Sequence, residues 1–156
     1  MLWKNLQAGA IATATQGLFE QEQTRYGEPV LVTPRLGQGA FRVAITELYR
    51  RQCALTGGKV LPALDAAHIR PYAEGGTHTK SNGILLRKDI HSVFDAGYAT
   101  IDSNYRFVVS DKVKDVFDNG NEYRRLHGAL LRVPDNPSER PHRLVLQWHN
   151  DYRYLG

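Results

Sequence analysis

Apolar and polar positions change period several times along this chain, and each change marks an element. Residues 1–27 carry no strong period. Leu2, Trp3, Leu6 and Ile11 among Ala, Thr and Gln suit only a weak helix, and the polar E-Q-E-Q-T-R after them reads as a tether. P-V-L-V-T-P reads as a short strand between prolines. From there apolar residues fall at Phe41, Ala44, Ile45, Leu48 and Tyr49, the i, i+3, i+4, i+7, i+8 spacing of a helix with one buried face. Thr56-Gly57-Gly58 predicts a hairpin turn feeding the next strand. L-P-A-L-D-A-A-H-I is short, apolar and free of helix caps, a strand ending at His68. R-P-Y-A-E-G-G-T-H-T-K-S, with Pro71, Gly75 and Gly76, is a loop. G-I-L-L-R is a buried strand, and K-D-I-H-S-V-F-D-A-G a short helix stopped by Gly97. Residues 61–97 therefore read as a ββα unit.

Beyond Gly97 the period returns to two. Y-A-T-I-D and Y-R-F-V-V-S are strands joined through Asp102-Ser103-Asn104, burying Ile101, Phe107 and Val109. Ser110 or Asp111 caps a helix with Val113, Val116 and Phe117 inward, ended at Asn119-Gly120. V-P-D-N-P-S-E-R-P holds three prolines and reads as an extended loop. The spacing of Leu144, Trp148 and Tyr152 predicts a closing amphipathic helix over 142–152. The fold class is α+β, one domain over 28–156 preceded by the tether.

Composition narrows the class without naming a function. The chain's 156 residues allow one domain with a sizeable core, and 42% hydrophobic with 23% charged residues is globular. Lys and Arg number 20 against 16 Asp and Glu, giving +4 and a pI of about 9.3. That favours an acidic partner such as nucleic acid and does not identify it. The single cysteine, Cys53, excludes an internal disulfide and a four-cysteine zinc clamp, and reads as a small buried residue beside a turn. No apolar run approaches the ~18 residues of a membrane span, and no charged-then-apolar leader opens the chain, so the expectation is a cytoplasmic protein with no membrane partner.

Four polar residues stand out in the ββα stretch: His68, Asn82, His91 and Asp95. Fourteen, nine and four positions separate them in turn. Residues i and i+4 share a helix face, so His91 and Asp95 point the same way and suit a divalent cation. A helix packed across the two strands makes His68 face that ion, where a neutral imidazole is a general base for water. Singly, each has an ordinary account: a strand-end His, an Asn-Gly turn, a surface ion pair. His78, His127, His142 and His149 fit no ligand spacing and read as surface or packing residues.

This stretch resembles the HNH nuclease motif, the ββα-metal site of colicin nucleases and many restriction and homing endonucleases. The order His, Asn, His at these intervals carries the resemblance. R-L-G-Q-G-A-F-R, C-A-L-T-G, A-A-H-I-R-P-Y and H-S-V-F-D-A-G resemble the bacterial subgroup with A-H-I in place of D-H or H-H. The resemblance implies His68 as general base, Asn82 as the residue bridging the loop, and His91 as a metal ligand. Asp95 stands where colicin-type members carry a further ligand. The chain departs from the family at Ala67, where a metal-binding Asp or His is usual. Asp95 is expected to take over that role, with Asp65 a weaker candidate.

The activity implied by the resemblance is that of a metal-dependent endonuclease leaving 5′-phosphate and 3′-hydroxyl ends on DNA, double-stranded by expectation. Magnesium or manganese is the expected ion, with nickel or zinc binding without supporting turnover. Arg70, Arg87 and Lys88 are candidates for holding neighbouring phosphates, as are Arg42 and Gln38, which lie within the resembling R-L-G-Q-G-A-F-R. A role in folding and solubility is weighed beside each. The resemblance leaves open a homodimer and a fused recognition domain upstream, of which 1–27, if not simply a tether, would be the remnant or trimmed edge. Two other classes stand beside the enzyme: a DNA-binding module with weakened catalysis, and an effector nuclease acting on RNA or gated by a sensor.

Overall fold

The computed structural model describes residues 37–156. The weak helix and tether of 1–27 and the strand of P-V-L-V-T-P lie outside the described residues. Helix α1 (Gln38–Leu48) buries Phe41 and Ile45. Strand β1 (Leu64–His68) pairs antiparallel with β2 (Gly83–Arg87), in register from Leu64 opposite Arg87 to His68 opposite Gly83. Helix α2 (Lys88–Asp95) continues directly from β2, burying Ile90 and Phe94 one turn apart. A hairpin β3 (Ala99–Ile101) and β4 (Phe107–Val109) comes next, then α3 (Lys112–Phe117), α4 (Asn121–Arg124) and the closing α5 (Arg143–Tyr152). This is the α+β architecture expected, a ββα unit elaborated by a helix before it and a hairpin and helices after it.

The core explains why β2 has no polar face. Ile84, Leu85 and Leu86 are consecutive and all buried, which an alternating strand permits only when both faces are covered. Helices α1 and α2 supply the cover, each packing on β1 and β2. Gly83 makes the α1 side possible. A Cβ there would lie 2.4 Å from Cδ1 of Ile45 and 2.7 Å from the Phe41 ring, so only glycine lets the helix approach at this level. Burying each large side chain of this layer stabilises by about 1.5–3 kcal/mol. Among the described residues no helix is long and apolar enough to cross a membrane.

Three local expectations need correction. Thr56-Gly57-Gly58 does not join two strands: it belongs to a loop closed by bonds between Cys53 N–H and Gly58 C=O (2.9 Å) and between Gly57 N–H and Cys53 C=O (2.9 Å). Cys53 is buried beside this loop as expected, and its Sγ also accepts the N–H groups of Thr56 and Arg87, both at 3.4 Å. In α3 only Val113 turns inward. Val116 and Phe117 are more than half exposed, at 58% and 56%, because six residues make under two turns and only Val113 reaches the core. In α5 the buried residues are Leu146 and His149, while Leu144 and Tyr152 are 67% and 76% exposed. Spacing by four is satisfied by more than one helix face, and contact with β3 selects this one. The proline-rich loop holds one short 3-10 turn, Pro137–Glu139.

Candidate active site

His68 ends β1, opposite Gly83. Its ring lies flat on Phe41, centroids 3.9 Å apart and planes 9° apart, so the missing side chain at Gly83 gives Phe41 the room to support it. His68 Nε2 lies 2.8 Å from Nδ1 of His78. The His78 ring stacks in turn on Tyr72, at 4.6 Å and 2°. Burial, then the nearby His78, pull the pKa of His68 down to about 4, with His91 adding to the fall and Asp95 opposing it. His68 is therefore neutral at pH 7, with a lone pair to accept a proton.

Asn82 is buried and spends its amide on the loop that starts after β1. Its Oδ1 accepts the N–H of Arg70 (2.9 Å), and its Nδ2 donates to the carbonyls of Arg70 (2.9 Å) and Thr77 (2.8 Å). One side chain thereby ties both ends of the 70–77 loop to the start of β2. Gly76 permits the tight return, because a Cβ there would fall 1.8 Å from the Arg70 carbonyl oxygen. The loop held in this way carries Tyr72 and leads to His78.

His91, on α2, sits between two carboxylates. Its Nε2 is 3.0 Å from Oδ2 of Asp95 and its Nδ1 is 3.0 Å from Oδ2 of Asp65. Burial works against charge on this ring, but the hydrogen bonds and charges of Asp95 and Asp65 outweigh it and the pKa is raised. The end of α2 is fixed from the C-terminal side: the Arg153 guanidinium donates to the Asp95 carbonyl at 3.0 Å, and Leu155 N–H to the Gly97 carbonyl at 2.9 Å. Gly97 has φ +85°, and a Cβ there would meet the Arg153 carbonyl at 2.2 Å, so glycine is required twice over.

His91 Nε2 and Asp95 Oδ2 are paired with each other, and they are the two groups that would hold a small divalent cation. An octahedral shell at about 2.1 Å sets adjacent donors roughly 3.0 Å apart, and His91 Nε2 and Asp95 Oδ2 are 3.0 Å apart. Asp65 on the opposite nitrogen is placed to set the ring's orientation and make Nε2 the donor. Among the described residues no group of three or more His, Cys, Asp or Glu side chains forms a metal cage. Ala67 is fully buried in the core opposite Ile84.

The basic candidates divide. Arg87 is committed to a two-pronged pair with Asp89, at 2.6 and 2.9 Å, and Tyr123 donates to the same carboxylate at 3.2 Å. Arg70 donates to the Glu74 carbonyl at 2.7 Å and lies 5.2 Å from the centre of the Trp148 ring. Lys88 and Gln38 are exposed. Arg42 is exposed on α1, 3.9 Å from Asp65. Sequence reasoning misses one residue of the site and ranks another too low. Spacing alone puts His78 among the surface or packing histidines, whereas it touches His68. Asp65 ranks low by sequence because strand alternation does not say which face meets α2.

Residues 53–102 match the family model described as HNH endonuclease. No protein of curated function matches the chain. Among solved structures, a modification-dependent TagI restriction endonuclease is similar at a TM-score of 0.57 and 21% identity, over 86% of this chain and 43% of that one. The chain thus spans less than half the length of that solved relative.

Proposed function

We propose, for a chain whose residues 53–102 match the HNH endonuclease family model, that it hydrolyses DNA phosphodiester bonds with His68 as general base and a divalent ion on His91 and Asp95. The observation that carries the reading is that the His91–Asp95 pair, 3.0 Å apart, lies on the helix packed against the strand that ends in His68. A bound divalent cation supplies a Lewis acid for the negative charge that grows on the phosphate oxygens.

The protein's own groups do the rest. His68 accepts the proton of the attacking water. Its low pKa in the free protein suits it to be unprotonated, and an arriving phosphate anion raises it toward the working pH. Asn82 keeps the loop, and so the His68 surroundings, in one arrangement. Asp65 orients His91. Arg42 and Lys88, exposed and not locked into close pairs, are the better phosphate contacts, whereas Arg70 and Arg87 are used largely inside the fold.

The test is nicking of supercoiled plasmid with magnesium or manganese and with a chelator. The solved relative is modification-dependent, so plasmids with and without base modification are compared, and RNA serves as the competing substrate. His68→Ala should lower the rate by about two to four orders of magnitude with DNA binding little changed. A variant cutting at nearly the wild-type rate would remove His68 from the mechanism.

A further inference from the structure

We infer that His78 is a positioning residue for the base, accepting a hydrogen bond from Nε2–H of His68 so that the Nδ1 lone pair of His68 faces the water. The inference rests on the proposed role of His68 and deepens it. Nε2 of His68 and Nδ1 of His78 are 2.8 Å apart, so one of these nitrogens carries the shared proton. If His78 were the donor, neutral His68 would hold its own proton on Nδ1 and its only lone pair would be occupied by His78. Such a ring has nothing left to offer water. A base at position 68 therefore requires the reverse arrangement, with His78 the acceptor.

The surroundings are built for this contact. His68 is stacked on Phe41 from α1 within 9° of parallel. His78 is stacked on Tyr72 within 2°. The two histidine planes meet at 62°, so each ring is held by its own aromatic partner while the nitrogens meet edge on. The loop between Tyr72 and His78 is pinned by Asn82 through Thr77, the residue before His78. When His68 takes a proton, Nε2–H becomes a charge-assisted donor and His78 accepts it more strongly. His78 then stabilises the imidazolium as it forms, a part played by a carboxylate in the serine hydrolase triad.

Two measurements on the full chain decide the matter. In the ¹⁵N-labelled protein, His68 should be the Nε2–H tautomer with a nitrogen–nitrogen coupling across the bond to His78 Nδ1. In plasmid nicking, His78→Leu should lower kcat about ten- to a hundred-fold, part of what a general base supplies, with KM and melting temperature little changed. His78→Asn, which puts an acceptor oxygen near the Nδ1 position, should recover most of the loss. Nδ1–H on His68, or the absence of the coupling, would overturn the inference even in an active enzyme. So would Asn behaving no better than Leu, which marks a packing role. If wild type leaves DNA intact, the proposed function fails and the tautomer and coupling still judge the His68–His78 pairing.

Discussion

Asn82→Ala tests how a single buried amide holds the site. Three hydrogen bonds of 2.8–2.9 Å end on this side chain. Removing it leaves the N–H and C=O of Arg70 and the C=O of Thr77 without a partner in a part-buried loop. At about 1 kcal/mol net per bond the loss is about 3 kcal/mol, and more where water cannot reach the freed groups. Domains of this size are stable by roughly 5–15 kcal/mol, so the variant should fold and melt about 10 °C lower. Asn82→Asp is the sharper variant. Its oxygen keeps the Arg70 N–H bond but turns a second oxygen toward two carbonyls, and its charge is buried without a counter-ion. It should be no more stable than the alanine variant at pH 7. As a neutral acid it regains a donor, so its deficit should shrink near pH 4. Urea unfolding at both pH values reads the stabilities, and plasmid nicking reads the site. An alanine variant within 1 kcal/mol of wild type, or an aspartate variant matching wild type at pH 7, would refute the reasoning.

The same geometry sets three further outcomes. In manganese titration calorimetry, Asp95→Ala should lose affinity as severely as His91→Ala, and Asp65→Asn should weaken it about ten- to a hundred-fold, as loss of an orienting partner does; unchanged affinity in Asp95→Ala would remove it from the metal site. Gly83→Ala should destabilise by about 1–3 kcal/mol through overpacking against Phe41 and Ile45 and lower nicking further by disturbing the Phe41–His68 stack; a melting curve identical to wild type would contradict the close approach. His149 is buried, stacked on Phe94, and its Nε2 donates to the Phe94 carbonyl at 3.1 Å, leaving Nδ1 to accept from Thr100 at 2.8 Å. Burial pushes its pKa down to about 4, so the stability it contributes is complete above its unfolded value of about 6.5 and is lost as pH falls from there toward 4. That loss amounts to about 3 kcal/mol, and the difference in unfolding free energy between wild type and His149→Gln across that window should show it. A constant difference would mean that His149 titrates normally.

The sequence determined the elements that local chemistry controls. The two strands and the helix of the ββα unit are readable from the change of hydrophobic period and from Gly97, whose φ of +85° ends α2. The sharing of one face by His91 and Asp95 comes from helix geometry alone. What escapes the sequence depends on what lies opposite. Position 65 faces α2 only because the β1–β2 register and the packing of that helix put it there. His78 meets His68 only because Asn82 closes the loop between them. In α5, residues 144, 148 and 152 form as good a stripe as 146 and 149, and only the neighbouring β3 chooses between the faces. A chain fixes its own torsions and periodicities over a few residues, whereas which face is buried and which ring nitrogen meets which carboxylate are properties of two surfaces brought together. Those contacts exist only in the tertiary structure.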